Sequence, residues 1–329
     1  MEIRDATEAD IPEIVALLKL SLGESLMPKS EKFWRWKHLE NPFGKSPVLL
    51  CWEGNEVVGV RAFMRWEWNR QGQVYNAVRA VDTATHPGFQ GKGIFKKLTL
   101  ALVDYCKQQG IHFVFNTPNQ QSKPGYIKMG WEEAGKLPVK IGIQRPFSML
   151  KNFIANAGTL ITEGGNSMMK YYLDHPKLNA LLMRHDGHMN DIKTKLSVPY
   201  LTWRYLDVPV AQYVAVGEES GNELTNLVIG RIKQTRFGRE LRITDCISNG
   251  KGNDQQWLKK LTAQKKEWGI DYTTISGTHS GCSKKIVGDV NFELSIGPMV
   301  IVRSLAMGDL NMLKNFNRWT PALGDLELF

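Results

Sequence analysis

The chain has 329 residues, 42 Lys and Arg against 33 Asp and Glu for a net charge of +9, and 42% hydrophobic residues. That length gives a prior of two domains with sizeable cores. No window approaches the roughly 18 apolar residues of a membrane span, and MEIRDATEAD is not a basic leader followed by an apolar run, so a cytoplasmic protein with no membrane partner is expected. The positive balance suits an enzyme whose cofactor is a polyanion. Lys96, Lys97, Lys259, Lys260, Lys265 and Lys266 are scattered over presumed helices, with no RNA-binding aromatic motif and no helix-turn-helix, so no nucleic-acid partner is expected. Cys51, Cys106, Cys246 and Cys282 have no metal-ligand spacing, which predicts neither a metal site nor a disulfide framework.

In chain order, Ile3 to Ile11 ends in a helix start, with Thr7 as the cap and Asp10 at the third position. Val48 to Trp52 and Ala77 to Thr85 read as strands. The second leads through His86-Pro87-Gly88-Phe89-Gln90-Gly91-Lys92-Gly93 into a helix at Ile94–Gln109, with Ile94, Leu98, Ala101, Leu102 and Tyr105 on one face. The first turn of such a helix has amides without carbonyl partners and the positive end of the dipole, so the junction is suited to phosphate. Glycine at 91 and 93 lets a ligand approach the backbone. A P-loop would need Ser or Thr after Lys92, and a Rossmann turn would need G-x-G-x-x-G, whereas Gly88, Gly91 and Gly93 read G-x-x-G-x-G. A strand at Gly110 to Asn116, a polar loop at Thr117 to Ser122 and the segment Tyr126-Ile127-Lys128-Met129-Gly130-Trp131 follow.

The second half repeats the first in outline. Trp34-Arg35-Trp36 recurs as Trp203-Arg204-Tyr205, and Arg79-Ala80-Val81-Asp82 as Arg242-Ile243-Thr244-Asp245. Strands are expected at Gln212 to Val216 and Glu240 to Ile247, and a helix at Asp254–Trp268 ends in Gly269-Ile270-Asp271-Tyr272 as the first ends in Gly110-Ile111-His112-Phe113. The second copy has only Ser248-Asn249-Gly250-Lys251-Gly252-Asn253 in place of the loop, and Ser283 to Phe292 supplies no counterpart of Tyr126. Residues 146 to 195, with Lys151 to Ala157, a turn at Gly164-Gly165-Asn166 and an amphipathic run from Met168 to Met183, read as a helical connector.

Gln90 to Phe95, preceded by Thr85-His86-Pro87, resembles the pyrophosphate loop of the GNAT (GCN5-related) acyltransferases, which bind acyl-coenzyme A. Tyr126 to Trp131 is similar to the Y-x-K-x-G-[FW] segment of that family, and Ile3 to Ile11 to its amino terminus. The resemblance covers about residues 1 to 145 and departs at Phe95, where the family usually has Gly or Ala. It implies an α/β fold with a mixed sheet, the GNAT acyl-CoA N-acyltransferase fold in two tandem copies. These are a GNAT domain at 1–145, a helical connector at 146–195 and a GNAT-like domain without the cofactor loop at 196–329.

It further implies transfer of an acyl group from acetyl-CoA, or another acyl-CoA, to a primary amine by direct attack, without a metal. The acceptor would be a small molecule such as an amino sugar or a cell-surface glycan precursor, and no oligomeric state is assigned. The departing thiolate has a reference pKa near 8.5 against about 10 for tyrosine, so a tyrosine can donate to it. Tyr126 is the candidate general acid and Asp82 the candidate base, Asp82 being equally readable as structural. Val81 and Thr83 would face the pantetheine amides, Gln90, Gly91, Lys92, Gly93, Ile94 and Phe95 the pyrophosphate. Asn119 and Ser122 would neighbour the pantetheine arm or thioester, with a turn role open for Asn119. Trp34, Trp36, Trp66 and Trp68 are readable as acceptor-cleft walls or as core. Two other functions stay open: a Fem-type aminoacyltransferase using aminoacyl-tRNA, and a non-catalytic acyl-CoA sensor.

Overall fold

The computed structural model describes residues 1–23, 28–155, 167–187, 191–250, 254–277, 284–288, 291–316 and 318–326. The turn expected at Gly164-Gly165-Asn166, the residues Lys251-Gly252-Asn253, Cys282, and Ser283, Asp289 and Val290 lie outside them.

The chain opens with β1 (Glu2–Asp5) and a tight turn in which the Thr7 amide and hydroxyl both donate to the Asp10 carboxylate, at 2.7 and 2.8 Å. Helix α1 (Ile11–Leu22) then buries Ile11, Ile14, Val15, Leu17 and Leu18. Helix α2 (Glu31–His38) starts at Ser30, whose hydroxyl accepts from the Phe33 amide. The long strands β2 (Val48–Glu53), β3 (Glu56–Arg70) and β4 (Gln73–Thr85) form an antiparallel meander. Helix α3 (Ile94–Gln108) crosses back, and β5 (Phe113–Asn116) joins β4 in parallel. Helix α4 (Lys123–Lys128) and β6 (Glu132–Lys136) follow.

The buried face of α3 is Ile94, Leu98, Thr99, Leu102, Val103 and Cys106; Tyr105, expected on that face, is exposed, and Val103 and Cys106 complete the face in its place. The helix packs against Val58, Phe63, Val78, Val114 and Ile301 in one core cluster. Truncating a buried leucine such as Leu98 to alanine should cost about 2–5 kcal/mol. Gly59 permits the approach: a Cβ on it would stand 2.5 Å from Ile94 Cγ2, so the start of α3 is seated on a glycine of β3.

The later elements are β7 (Val139–Ile143), α5 (Pro146–Ile154), α6 (Ser167–Leu173), α7 (Leu178–Gly187), β8 (Lys193–Thr194) and α8 (Val198–Leu201). Then come β9 (Val214–Ser220), β10 (Glu223–Thr235), β11 (Gly238–Ser248), α9 (Asp254–Glu267), β12 (Tyr272–Ser276), β13 (Asn291–Leu294), β14 (Met299–Ser304) and α10 (Leu323–Leu326). The chain forms two compact units, one of residues 1–135 and 299–319, the other of residues 136–298 and 320–328.

These units differ from the contiguous division expected at 145 and 196. The first sheet runs β1-β2-β3-β4-β5-β14-β6, with β14 from the far end of the chain antiparallel to β5. The second runs β13-β7-β12-β11-β10-β9, with β7 antiparallel to both β12 and β13. Each sheet therefore accepts one strand from the other half of the sequence. Strand composition does not reveal this, because nothing in Val139 to Ile143 or Met299 to Ser304 marks which distant strand each pairs with. The stretch expected as a connector belongs to the second unit, where α6 and α7 bury Met169, Tyr172, Leu173, Leu178, Leu181 and Leu182. Cys51 and Cys106 are free and buried, whereas Cys246 is disulfide-bonded, which corrects the expectation of no disulfide.

Candidate active site

In the first unit the β4 ladder to β5 pairs Ala77, Val78 and Arg79 with Phe113, Val114 and Phe115 and ends there, although β4 continues to Thr85. One edge of Ala80 to Thr85 is thus released from β5. Beyond it the chain turns through Pro87–Phe89, and Gly91 and Gly93 both take left-handed backbone, at φ +78 and +77. The space a Cβ would occupy at either glycine is open. Gly93 precedes α3 without any side-chain cap, and the first intrahelical bond runs from the Lys97 amide to the Gly93 carbonyl, so the amides of the first turn are uncommitted to the helix.

A cleft of about 610 Å³ joins these parts, lined by Thr83, Gln90, Gly91, Gly93, Ile94, Phe95, Asn119 and Ser122 among the expected residues, together with Lys96 and Gly125. Released strand edge, helix amino terminus and a lysine give the cleft what a long molecule bearing amides at one end and phosphates at the other requires. Asn119 is also a turn residue: its Oδ1 accepts from the Ser122 amide at 2.8 Å and from the Ser122 hydroxyl at 2.9 Å. Val81 and Lys92 are not on the cleft wall. The Val81 carbonyl accepts from Arg61 at 3.3 Å, and the Lys92 ammonium stands 4.3 Å from the Phe89 ring centre.

Tyr126 and Asp82 lie behind or beside the cleft. Tyr126 is 3% exposed, its ring edge-on to Phe95 at 5.5 Å and to Trp131 at 5.1 Å, and its hydroxyl oxygen accepts from Arg61 Nη2 at 2.6 Å. Phe95 thus forms cleft wall on one side and a cover for Tyr126 on the other.

Asp82 is the bulge residue of β4, at φ +29, skipped between the pairs Ala62–Val81 and Arg61–Thr83. Its Oδ2 accepts from Lys37 Nζ at 2.8 Å and lies 2.9 Å from His38 Nε2, both from α2. Burial works against its charge, but the Lys37 ammonium and the His38 hydrogen bond outweigh that and hold the carboxyl far below the usual carboxylate range. Burial pushes His38 down despite Asp82, so the imidazole is neutral at neutral pH. Its bonds then assign the proton to Nε2, with Nδ1 accepting from the Ser46 hydroxyl at 2.9 Å.

Trp36, Trp66 and Trp68 are core residues, at most 1% exposed; Trp34 is buried too, though it borders a small pocket with Lys29, Phe33, Lys37 and Asp82. Arg61, Lys37, His38 and Ser46 were not singled out by the sequence reading. Arg61 carried one signal, a lone charge inside the apolar run VVGVRAFM.

Residues 2–134 match the family model described as an acetyltransferase (GNAT) domain. That segment is a GNAT domain, and the fold is the GNAT acyl-CoA N-acyltransferase fold. Among solved structures, the chain is similar to a protein of Enterococcus faecalis V583 described as of unknown function and a "Probable N-Acyltransferase", at TM-score 0.63 and 11% identity over 94% of this chain and 74% of that one. A GCN5-related N-acetyltransferase from Anabaena variabilis ATCC 29413 aligns at TM-score 0.63 and 15% identity over 92% and 72%, and one from Kribbella flavida at 0.60 and 11% over 93% and 71%. No curated protein matches the chain. Among the described residues there is no cluster of three metal-ligating side chains and no helix long and apolar enough to cross a membrane.

Proposed function

We propose that the first unit is an N-acetyltransferase that moves the acetyl group of acetyl-CoA to a small-molecule primary amine by direct attack. The observation that carries this reading is the cleft in which Thr83, Gln90, Gly91, Gly93 and the start of α3 meet Asn119 and Ser122. In it, the amides of α3's first turn and Lys96 would hold the pyrophosphate, and the released edge of β4 would hydrogen-bond the pantetheine amides. The amine nitrogen forms the new C–N bond, the C–S bond breaks, and the departing sulfur takes the Tyr126 proton.

In this reading Asp82 acts as a fixed charge rather than as the base: a carboxyl tied to Lys37 and His38 and held so far down has little affinity for an ammonium proton. The intact Gln90 to Gly93 loop argues against an aminoacyl-tRNA donor, which has no use for a pyrophosphate cradle. The sensor reading has one observation in its favour, Tyr126 covered by Phe95. The two are separated by coenzyme A release from acetyl-CoA with a panel of primary amines. An acetyltransferase turns over, and Tyr126→Phe lowers its kcat by about 100-fold or more while leaving acetyl-CoA affinity in place; a sensor binds without turnover.

We further read the second sheet, with its order β13-β7-β12-β11-β10-β9, as a second copy that has lost the cofactor loop. The repeated Arg-x-x-Asp strand and Trp-Arg-aromatic segments support this.

A further inference from the structure

Arg61 is fully buried in the middle of β3, and no carboxylate pairs with it among the described residues. Its Nη1 donates to the Val81 carbonyl at 3.3 Å and its Nη2 to the Tyr126 hydroxyl oxygen at 2.6 Å, while Nε has no acceptor. Around the guanidinium stand the rings of Phe63, Phe95 and Tyr126, with centres 5.0, 5.6 and 5.5 Å from its carbon. A buried guanidinium keeps its charge and is costly to bury without an anion. A merely structural site of this size would be filled more cheaply by an apolar side chain.

The geometry points to a role. A phenol has one proton to give and lone pairs to accept with. With Arg61 donating to the oxygen, the phenolic proton is the part left to act, and no side chain among the described residues accepts it. We propose that Arg61 is a positioning residue for the acid. It fixes the Tyr126 hydroxyl as acceptor on the Arg61 side, directs its proton to the leaving sulfur, and faces the phenolate that remains once that proton has gone. In the balanced step the amine lone pair forms the C–N bond and the C–S pair leaves with sulfur. Sulfur takes the proton from Tyr126 Oη, and the phenolate regains one, through water, from the nitrogen that was acylated. The missing anion of the buried guanidinium is thus one that exists only during turnover. This rests on the acetyl-transfer reading above.

The test is a double-mutant cycle in the full chain with acetyl-CoA and the best amine of the panel, reading kcat, with calorimetric affinity for acetyl-CoA measured beside it. Arg61→Met and Tyr126→Phe are each expected to lower kcat by about 100-fold with affinity changed less than about twofold, the double variant being no worse than Tyr126→Phe alone. Arg61→Lys, which keeps a cation on a shorter reach, should recover part of the loss, and it serves in the same cycle where Arg61→Met fails to fold. Losses that multiply in the double variant, or loss of acetyl-CoA affinity in Arg61→Lys, overturn the inference. A wild type that releases no coenzyme A with any amine overturns the transfer reading and the inference with it, whereas multiplying losses in a working enzyme overturn the inference alone.

Discussion

Asp82 and Asp245 occupy corresponding places in the two units and have opposite electrostatics. Both follow an arginine by three residues on a strand whose parallel neighbour pairs at that arginine, Arg79 with Phe115 and Arg242 with Thr274. Each also meets a side chain from the Trp-Arg-aromatic region: Lys37 and His38 reach Asp82, and the Tyr205 hydroxyl donates to Asp245. Asp82, however, is the bulge residue, whereas in the second unit the bulge falls one residue earlier, at Thr244, and Asp245 pairs in regular register with Ile229. Asp82 is held as an anion by a cation. Burial, with Asp325 nearby, pushes Asp245 up to about 7. One strand thus carries charge beside an open cleft and the other carries a carboxyl absorbed into a core, a difference expected if only the first unit handles a ligand.

The comparison is broken most sharply at the two glycine turns. Gly93→Asp sets a β-carbon and a negative charge at a left-handed position before α3, and should weaken acetyl-CoA binding by about 100-fold or more. Gly250→Asp, at φ +71 in the corresponding turn of the second unit, should leave that affinity unchanged. Equal losses in calorimetry would mean that both units bind.

The aspartates sharpen it through stability. Asp82→Asn leaves the buried Lys37 without its anion and should cost about 1–3 kcal/mol at pH 7 in chemical denaturation. Since the folded-state pKa of Asp82 lies below its ordinary value of 3.8, that contribution is present above about pH 4 and fades as pH falls further, so the gap between wild type and variant should close in acid. Asp245 has the reverse sign. Between about pH 4 and 7 the unfolded chain has released a proton that the folded chain retains, so its contribution falls as pH rises. Melting followed across that window should show Asp245→Asn gaining on the wild type as pH increases, by a few degrees at about 2–4 °C per kcal/mol. Parallel curves would mean that Asp245 titrates as an ordinary surface carboxyl.

What was legible in the sequence is what depends on neighbours along the chain. The spacing of Gln90, Gly91 and Gly93 and the apolar period from Ile94 sufficed to find the glycine turn and the helix start, and eight of the ten residues expected to hold the cofactor line one cleft. The contacts on which the proposed chemistry rests join distant positions: Arg61 to Tyr126 across 65 residues and Lys37 to Asp82 across 45. No periodicity records such a meeting. The strand exchange of β7 and β14 was equally hidden, since an antiparallel strand of either composition satisfies either sheet. The tryptophans stayed open between core and cleft because large aromatic rings suit both, and burial settles Trp36, Trp66 and Trp68 as core.

Calorimetric titration of the wild-type chain with acetyl-CoA decides whether there is a single acyl-CoA site, in the first unit. Micromolar binding at one equivalent per chain is expected, with a melting transition that rises as ligand is added. Two equivalents, or no heat and no shift in melting, would contradict it.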